Sequence, residues 1–302
     1  MFSVPTIWLV IALALIPGDF GARLATTAPI SLSGQTPPPV HTQVGVKEVP
    51  VQTETDLPAL SAPQAYAIDI DTGTVLYQKD ATTEKPIASI TKLATVITFL
   101  RDRNLSDVVT IPQLPAYGPA DEIIGLKPGE EYTIRNLVAA TLIKSANDAA
   151  DSLAIIDSGS KEAFASKMSK RLQEWGIEDT QFTNPSGLTT SGALNTASAQ
   201  AVAQMGMLAI RKPEIAQMVA TPQQAITSTQ GRTLSLTTTN QLLQNGSFTG
   251  IKTGYTPEAG QCFVGLTTIQ GHRVVTVVLG SSDRFGETTQ LRNWIDRTYQ
   301  WQ

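Results

Sequence analysis

Three short stretches of the chain hold side chains that could do chemistry together: Ser89-Ile90-Thr91-Lys92, Ser145-Ala146-Asn147 and Lys252-Thr253-Gly254. In order they supply a hydroxyl with an amine one helical turn away, a hydroxyl–amide pair, and a lysine–hydroxyl strand. The set suits serine acyl transfer with lysine as the base in place of histidine. A serine hydroxyl is a weak nucleophile until a neighbouring base takes its proton. Lysine can be that base only where burial or a nearby cation disfavours the ammonium form. No motif is sufficient alone. Ser-x-x-Lys arises about once by chance in a chain of this size, and Ser158-Gly159-Ser160-Lys161 is such a coincidence, set in a glycine-broken polar turn. Ser145 and Asn147 fall at a break between helices, where these residue types most often serve as caps. Lys252 beside Gly254 reads alone as an ordinary edge lysine. The combination, in order and on suitable elements, is what points to a reaction.

Those elements can be read from periodicity. A helix is predicted over 89–101, just behind Pro86, with Ile90, Leu93, Ile97 and Leu100 on one apolar face. The i, i+3 spacing brings Ser89 and Lys92 to one side of it. Ser89 lies in the first turn, where free N–H groups favour a developing oxyanion. Helices over 134–144 and 148–156 flank the second motif, and two more are expected over 161–175 and 195–210. Lys252 sits on a strand over 250–255, where glycine lets a substrate backbone approach and pair like an added strand. Strands 66–70 and 74–77 form a hairpin about Asp71-Thr72-Gly73, and 261–269 with 273–279 form another about Gln270-Gly271-His272. A last amphipathic helix carries Leu291, Trp294, Ile295 and Tyr299. Strands, helices, strands, helix is the pattern of an α/β chain of the α+β type. A mainly antiparallel sheet is assembled from both ends, with a helical subdomain inserted.

The bulk numbers fit a globular protein with a substantial core. The 302 residues are 41% apolar and 16% charged, with a net charge of -4 and no long run of either sign. A nucleic-acid partner is excluded on that balance. Cys262, the single cysteine, lies in an apolar strand and reads as a small buried hydrophobe; no internal disulfide is possible. His41 falls in a spacer and His272 at a hairpin tip, which leaves no Ser-His-Asp arrangement. The apolar block Ile7–Ile16, ended by Pro17-Gly18-Asp19, is shorter than the roughly 20 residues of a membrane span. It matches the h-region of a secretory signal, typically about 7–15 residues, although no Lys or Arg precedes it and no clean small-x-small site follows. The expected division is a signal peptide or N-terminal membrane anchor over 1–22, a disordered Pro/Thr-rich linker over 23–61, and a catalytic domain over 62–302.

Further stretches carry a resemblance: Ala88-Ser89-Ile90-Thr91-Lys92-Leu93, Leu126-Lys127-Pro128-Gly129-Glu130, Lys144-Ser145-Ala146-Asn147-Asp148-Ala149-Ala150, Asn184-Pro185-Ser186-Gly187-Leu188, Thr239-Asn240-Gln241-Leu242-Leu243 and Gly250-Ile251-Lys252-Thr253-Gly254-Tyr255-Thr256. From about residue 62 to the end the chain resembles the D-alanyl-D-alanine carboxypeptidases, the low-molecular-mass penicillin-binding proteins of peptidase family S11. The resemblance implies a β-lactamase/transpeptidase-like fold, a five-stranded antiparallel sheet flanked by helices. It implies a serine-type D-Ala-D-Ala carboxypeptidase that removes the terminal D-Ala from peptidoglycan stem peptides through an acyl-enzyme on Ser89. Lys92 would be the base, and Ser145 and Asn147 would complete the proton and substrate network. Lys252, Thr253, Gly254 and Tyr255 would bind substrate, with Arg284 helping to hold its terminal carboxylate. The backbone N–H groups of Ser89 and Tyr255 would form the oxyanion hole. No metal or organic cofactor is implied, and β-lactams are implied as covalent inhibitors.

The location implied is extracytoplasmic, in the periplasm or cell wall, with the protein secreted or anchored by its apolar block. Many relatives carry a β-rich second domain and a C-terminal amphipathic membrane helix. Here the stretch after Gly254 suffices for two strands and one helix, so any tethering falls to the N-terminus. Class A β-lactamase activity is disfavoured, because no Glu-x-x-x-Asn segment lies between the second and third motifs to activate a deacylating water. Two alternatives stay open: a DD-endopeptidase cutting peptidoglycan crosslinks with the same site, and a non-catalytic penicillin- or cell-wall-binding module.

Overall fold

Strand-forming runs at the two ends of the chain meet in one sheet. The computed structural model describes residues 48–302 apart from 55, 190, 191 and 245. The expected signal or anchor segment, and the linker up to residue 47, lie outside the described residues. The sheet has five strands in the order Gly250–Thr256, Gly260–Ile269, His272–Ser281, Gln64–Asp69, Val75–Lys79, each antiparallel to its neighbour. This is the expected antiparallel sheet, closed by pairing Val277 with Tyr66 across two hairpins far apart in sequence.

Both faces of the sheet are covered, and the two-residue period decides which side chain goes where. Ala65, Ala67, Val274 and Val278 face one apolar cluster, with Leu291, Trp294 and Ile295 of the last helix. Tyr66, Val275, Val277 and Leu279 face the larger cluster beneath the inserted helices. Those helices are α1 (Thr91–Phe99), α2 (Ile134–Ala139), α3 (Asn147–Ser158), α4 (Lys161–Glu174), α5 (Ala199–Ile210) and α6 (Pro213–Val219). The last helix, α7, runs Arg284–Thr298.

Three details depart from the sequence reading. The apolar face expected on the first helix is buried, but so is every other side of it: each residue of α1 is hidden, Thr91, Lys92, Thr95 and Thr98 included. A helix hidden on all sides belongs to the interior of a larger body, and α1 lies in the core, carrying Ser89 and Lys92 at its head. The helix expected over 134–144 gives way after Ala139 to a wider π turn, Ala140–Lys144. The last helix stops at Thr298, and Tyr299–Trp301 forms a strand paired with Pro50–Gln52. The final part of the expected linker is therefore docked on the body. Trp294 Nε1 also donates to the carbonyl of Asp56. Among the described residues no helix is long and apolar enough to cross a membrane.

Candidate active site

The head of α1 is a single 3₁₀ turn, Ala88–Ile90, with Ala88 at φ +47°. Two glycines pin it from opposite sides. A Cβ on Gly187 would lie 2.0 Å from the Ala88 carbonyl oxygen, and one on Gly254 would lie 2.7 Å from that of Ile87. Side chains at either place would collide with backbone, so the glycines let a loop and a strand close onto the turn. Ser89 is thereby held half-buried at the edge of a cleft.

Lys92 is wholly buried one turn on. Its Nζ lies 2.8 Å from Ser89 Oγ, 2.7 Å from Asn147 Oδ1 and 2.6 Å from the Ser186 carbonyl oxygen. Burial lowers the pKa of this amine from its ordinary 10.5 to about 7, against the opposing pull of Asp151, Glu122 and Asp148. Such a shift means the ammonium form costs roughly 5 kcal/mol more here than in water. Desolvation wins over the three carboxylates. A neutral amine has two N–H donors and one lone pair. The two carbonyl oxygens can accept only, so in the neutral amine they would take both N–H groups and leave the lone pair for the hydroxyl of Ser89.

The second motif sits where the π turn ends. Ser145 takes the left-handed conformation, φ 64° and ψ 29°, and α3 begins two residues later at Asn147. A non-glycine residue in this region carries strain that recurs at functional sites. Here it turns Ser145 toward the third motif while Asn147 reaches Lys92. Lys252 Nζ lies 2.7 Å from Ser145 Oγ and donates to the Thr253 carbonyl at 3.1 Å. Lys252 is also fully buried; desolvation first, then the charges of Lys92 and Arg284, hold its pKa well below the lysine range. A proton on either amine makes a proton on the other more costly.

The cleft has a volume of about 310 Å³ and is walled by Ser89 and Ser145 on one side and Thr253, Gly254, Tyr255 and Arg284 on the other. Thr253 Oγ1 and Thr239 Oγ1 are 2.5 Å apart, and Tyr255 is 60% exposed. Arg284 Nη1 donates to the Gly254 carbonyl at 2.9 Å, while its helix is capped by Asp283. The three motifs and Arg284 thus meet in one cleft. Ala120 and Glu122 close its rim. Their loop is tied down by buried Asp148, whose carboxylate accepts from the N–H groups of Ile124, Gly125 and Leu126.

Sequence reasoning missed the Ser186 carbonyl, because a backbone oxygen has no residue-type signature. The signal was nonetheless in Asn184-Pro185-Ser186-Gly187. Asn184 Oδ1 accepts from the N–H groups of Ser186 and Gly187 at 3.1 and 2.7 Å, and Asn195 Nδ2 holds the Asn184 carbonyl at 2.8 Å. The decoy is structural: Ser160 caps α4 and Lys161 pairs with Asp151 at 3.5 Å. Cys262 is buried, and burial pushes its thiol up to about 11, so it is inert. Among the described residues the one close group of metal-ligating side chains is Asp69, Asp71 and His272. Asp71 pairs there with Arg273 at 2.5 Å, and Asp69 accepts from Thr72 and Trp301, each at 2.8 Å.

Comparison with known proteins converges on one family. The family model described as D-alanyl-D-alanine carboxypeptidase (Peptidase_S11) matches residues 51–283, which includes every motif residue and stops just short of Arg284. The chain is 32% identical over 244 residues to the D-alanyl-D-alanine carboxypeptidase DacF of Bacillus subtilis, covering 79% of this chain and 62% of that protein. It is 31% identical over 259 residues to the D-alanyl-D-alanine endopeptidase of Pseudomonas aeruginosa, covering 82% and 80%. Among solved structures it is similar to penicillin-binding protein D2 from Listeria monocytogenes in a cefotaxime-bound form. The TM-score is 0.69 at 28% identity, covering 81% of this chain and all of that one.

Proposed function

The chain belongs to the D-alanyl-D-alanine carboxypeptidase family, peptidase family S11, and on that premise we propose that it is a serine-type carboxypeptidase removing the terminal D-Ala of peptidoglycan stem peptides. The observation that carries the reading is a buried lysine amine lying 2.8 Å from a serine hydroxyl. Lys92 takes the proton of Ser89 as its oxygen attacks the carbonyl between the last two D-alanines. The backbone N–H groups of Ser89 and Tyr255 hold the oxyanion. Asn147 steadies Lys92, and a proton passes through Ser145, with Lys252 behind it, to the departing D-alanine. Thr253 and Gly254 line the strand along which the peptide lies, and Arg284 supplies positive charge for the terminal carboxylate. Water then releases the acyl group from Ser89.

β-Lactams would acylate the same serine with a leaving group that stays attached, in keeping with the cefotaxime-bound relative. The substrate places the work outside the cytoplasmic membrane, and the apolar block Ile7–Ile16 would be the export signal or anchor. The endopeptidase relative makes crosslink cleavage the second reading. The test follows free D-alanine from a pentapeptide ending in D-Ala-D-Ala, beside a crosslinked dimer. Release from the pentapeptide, abolished together with fluorescent-penicillin labelling in Ser89→Ala, is the expected result. Cleavage of the dimer alone would favour the endopeptidase, and labelling with no turnover of either would leave a binding module.

A further inference from the structure

At the far end of α1 from Ser89, three adjoining hollows form one track across the surface. The first, about 390 Å³, lies between Ile177, Met207, Leu208 and Trp175. The next, about 230 Å³, shares Trp175 and Leu208 and adds Ile97 and Leu100. The third, about 300 Å³, shares Leu100 and Lys212 and runs on to Leu105 and Arg135. Trp175, Met207, Leu208 and Leu105 pack on the core from one side and are partly open on the other.

Five cations line this track: Arg101, Arg103, Arg135, Arg211 and Lys212. All are exposed, and none has an ion pair among the described residues. Neighbouring Asp102 is already taken by Arg171 and Lys167, at 2.9 and 3.4 Å. Glu214 is the one carboxylate in the lining. In a chain with a net charge of -4 this is a local inversion of sign. Unpaired arginines around a half-open tryptophan are the side chains that protein interfaces enrich. The middle hollow is mainly apolar, the first is mixed and the third is mostly polar, so apolar slots lie beside a charged stretch, which suits an amphipathic segment better than a flat lipid surface.

We propose that this track is a docking site for an acidic, amphipathic segment of a partner protein. One or two large apolar side chains would enter the slots beside Trp175 and Leu100, with carboxylates facing the five cations. Residues 1–47 of this chain are a poor occupant, since their charged side chains are Asp19, Arg23 and Lys47. Because Ser89 lies at the other end of α1, an occupant here leaves the cleft open.

The experiment pans a random peptide library on phage against the full chain with its cleft blocked by penicillin. Enriched peptides should carry net negative charge and apolar residues three or four apart. Their affinity, read by fluorescence anisotropy, should fall at least about tenfold in Arg211→Glu/Lys212→Glu and separately in Arg101→Glu, and fall with added salt. Fluorescent-penicillin labelling of the same variants should match wild type, which separates failure here from failure of the active-site reading. Peptides without acidic bias, or binding untouched by both variants, would overturn the proposal. So would sedimentation with phosphatidylglycerol-rich vesicles under conditions where no peptide binds.

Discussion

Lys252 Nζ and Ser145 Oγ lie 2.7 Å apart across the cleft, joining the second and third motifs. In Ser145→Ala the amine keeps the Thr253 carbonyl but loses its route to a leaving group. D-alanine release is expected to fall about 10²–10⁴-fold, the usual contribution of a positioned proton donor. A coupled D-alanine assay reads this directly, and a rate within tenfold of wild type would remove Ser145 from the relay.

Lys92→Met should abolish labelling by fluorescent penicillin. It removes the base, and it strands the acceptors Asn147 Oδ1 and Ser186 O, at about 1–3 kcal/mol each. Against that stands the relief of an amine whose charged form is held down by burial. The two effects are of similar size, so chemical denaturation should show a change within about 2 kcal/mol. Retained labelling would mean that another group deprotonates Ser89.

The pH profile has a sign that follows from the lowered amine. Below about 7 Lys92 is protonated, has no lone pair, and cannot take the hydroxyl proton. The second-order rate of acylation should rise about tenfold per pH unit up to about 7 and then level. An acylation rate that does not change between pH 5 and 7 would contradict a neutral lysine base.

Gly187→Ala tests the pinned turn. Its Cβ would meet Ala88 O at 2.0 Å at a backbone φ of +80°, so the turn or the loop must move. A loss on the order of 3 kcal/mol is expected, with penicillin labelling slowed at least about tenfold. Gly73→Ala is the control: the same φ of +80° but nothing within 4 Å of the new atom, hence roughly 1 kcal/mol and normal labelling.

Asp148→Asn keeps the shape of the rim but removes the charge and replaces one of its two acceptor oxygens with an N–H donor. Gly125 and Leu126 donate to the same oxygen, at 2.8 and 3.0 Å. Losing charge-assisted bonds of this kind costs about 1.5–3 kcal/mol. Thermal unfolding should show the loss, and labelling should slow because Ala120 and Glu122 ride on that loop.

The sheet was legible because alternating apolar strands and glycine turns are local signals, and both expected hairpins form. The three motifs were legible because side-chain chemistry is written in residue type. The π turn before Ser145 was not, since Ile134 through Lys144 has an unbroken helical pattern and the widening is set by packing. The full burial of α1 was equally hidden, because Thr91 and Thr95 give no apolar signal and their partners Asn195 and Pro185 lie far along the chain. The strand Pro50–Gln52 is three residues long, too short for any alternation to register.

That small ladder has a topological consequence. Val49 N–H donates to the Gln302 carbonyl at 2.9 Å, so the described body is very nearly a ring. A brief linker joining the two, with new ends opened at the Gln270-Gly271 tip, would deliver the nucleophile, the hydroxyl–amide pair and the lysine strand in the same relative order along a chain that starts elsewhere. Opening it instead at the Gly159-Ser160 turn would bring Lys252 first and Ser89 after it. The cleft is defined by who neighbours whom in space, not by the order of its motifs along the chain.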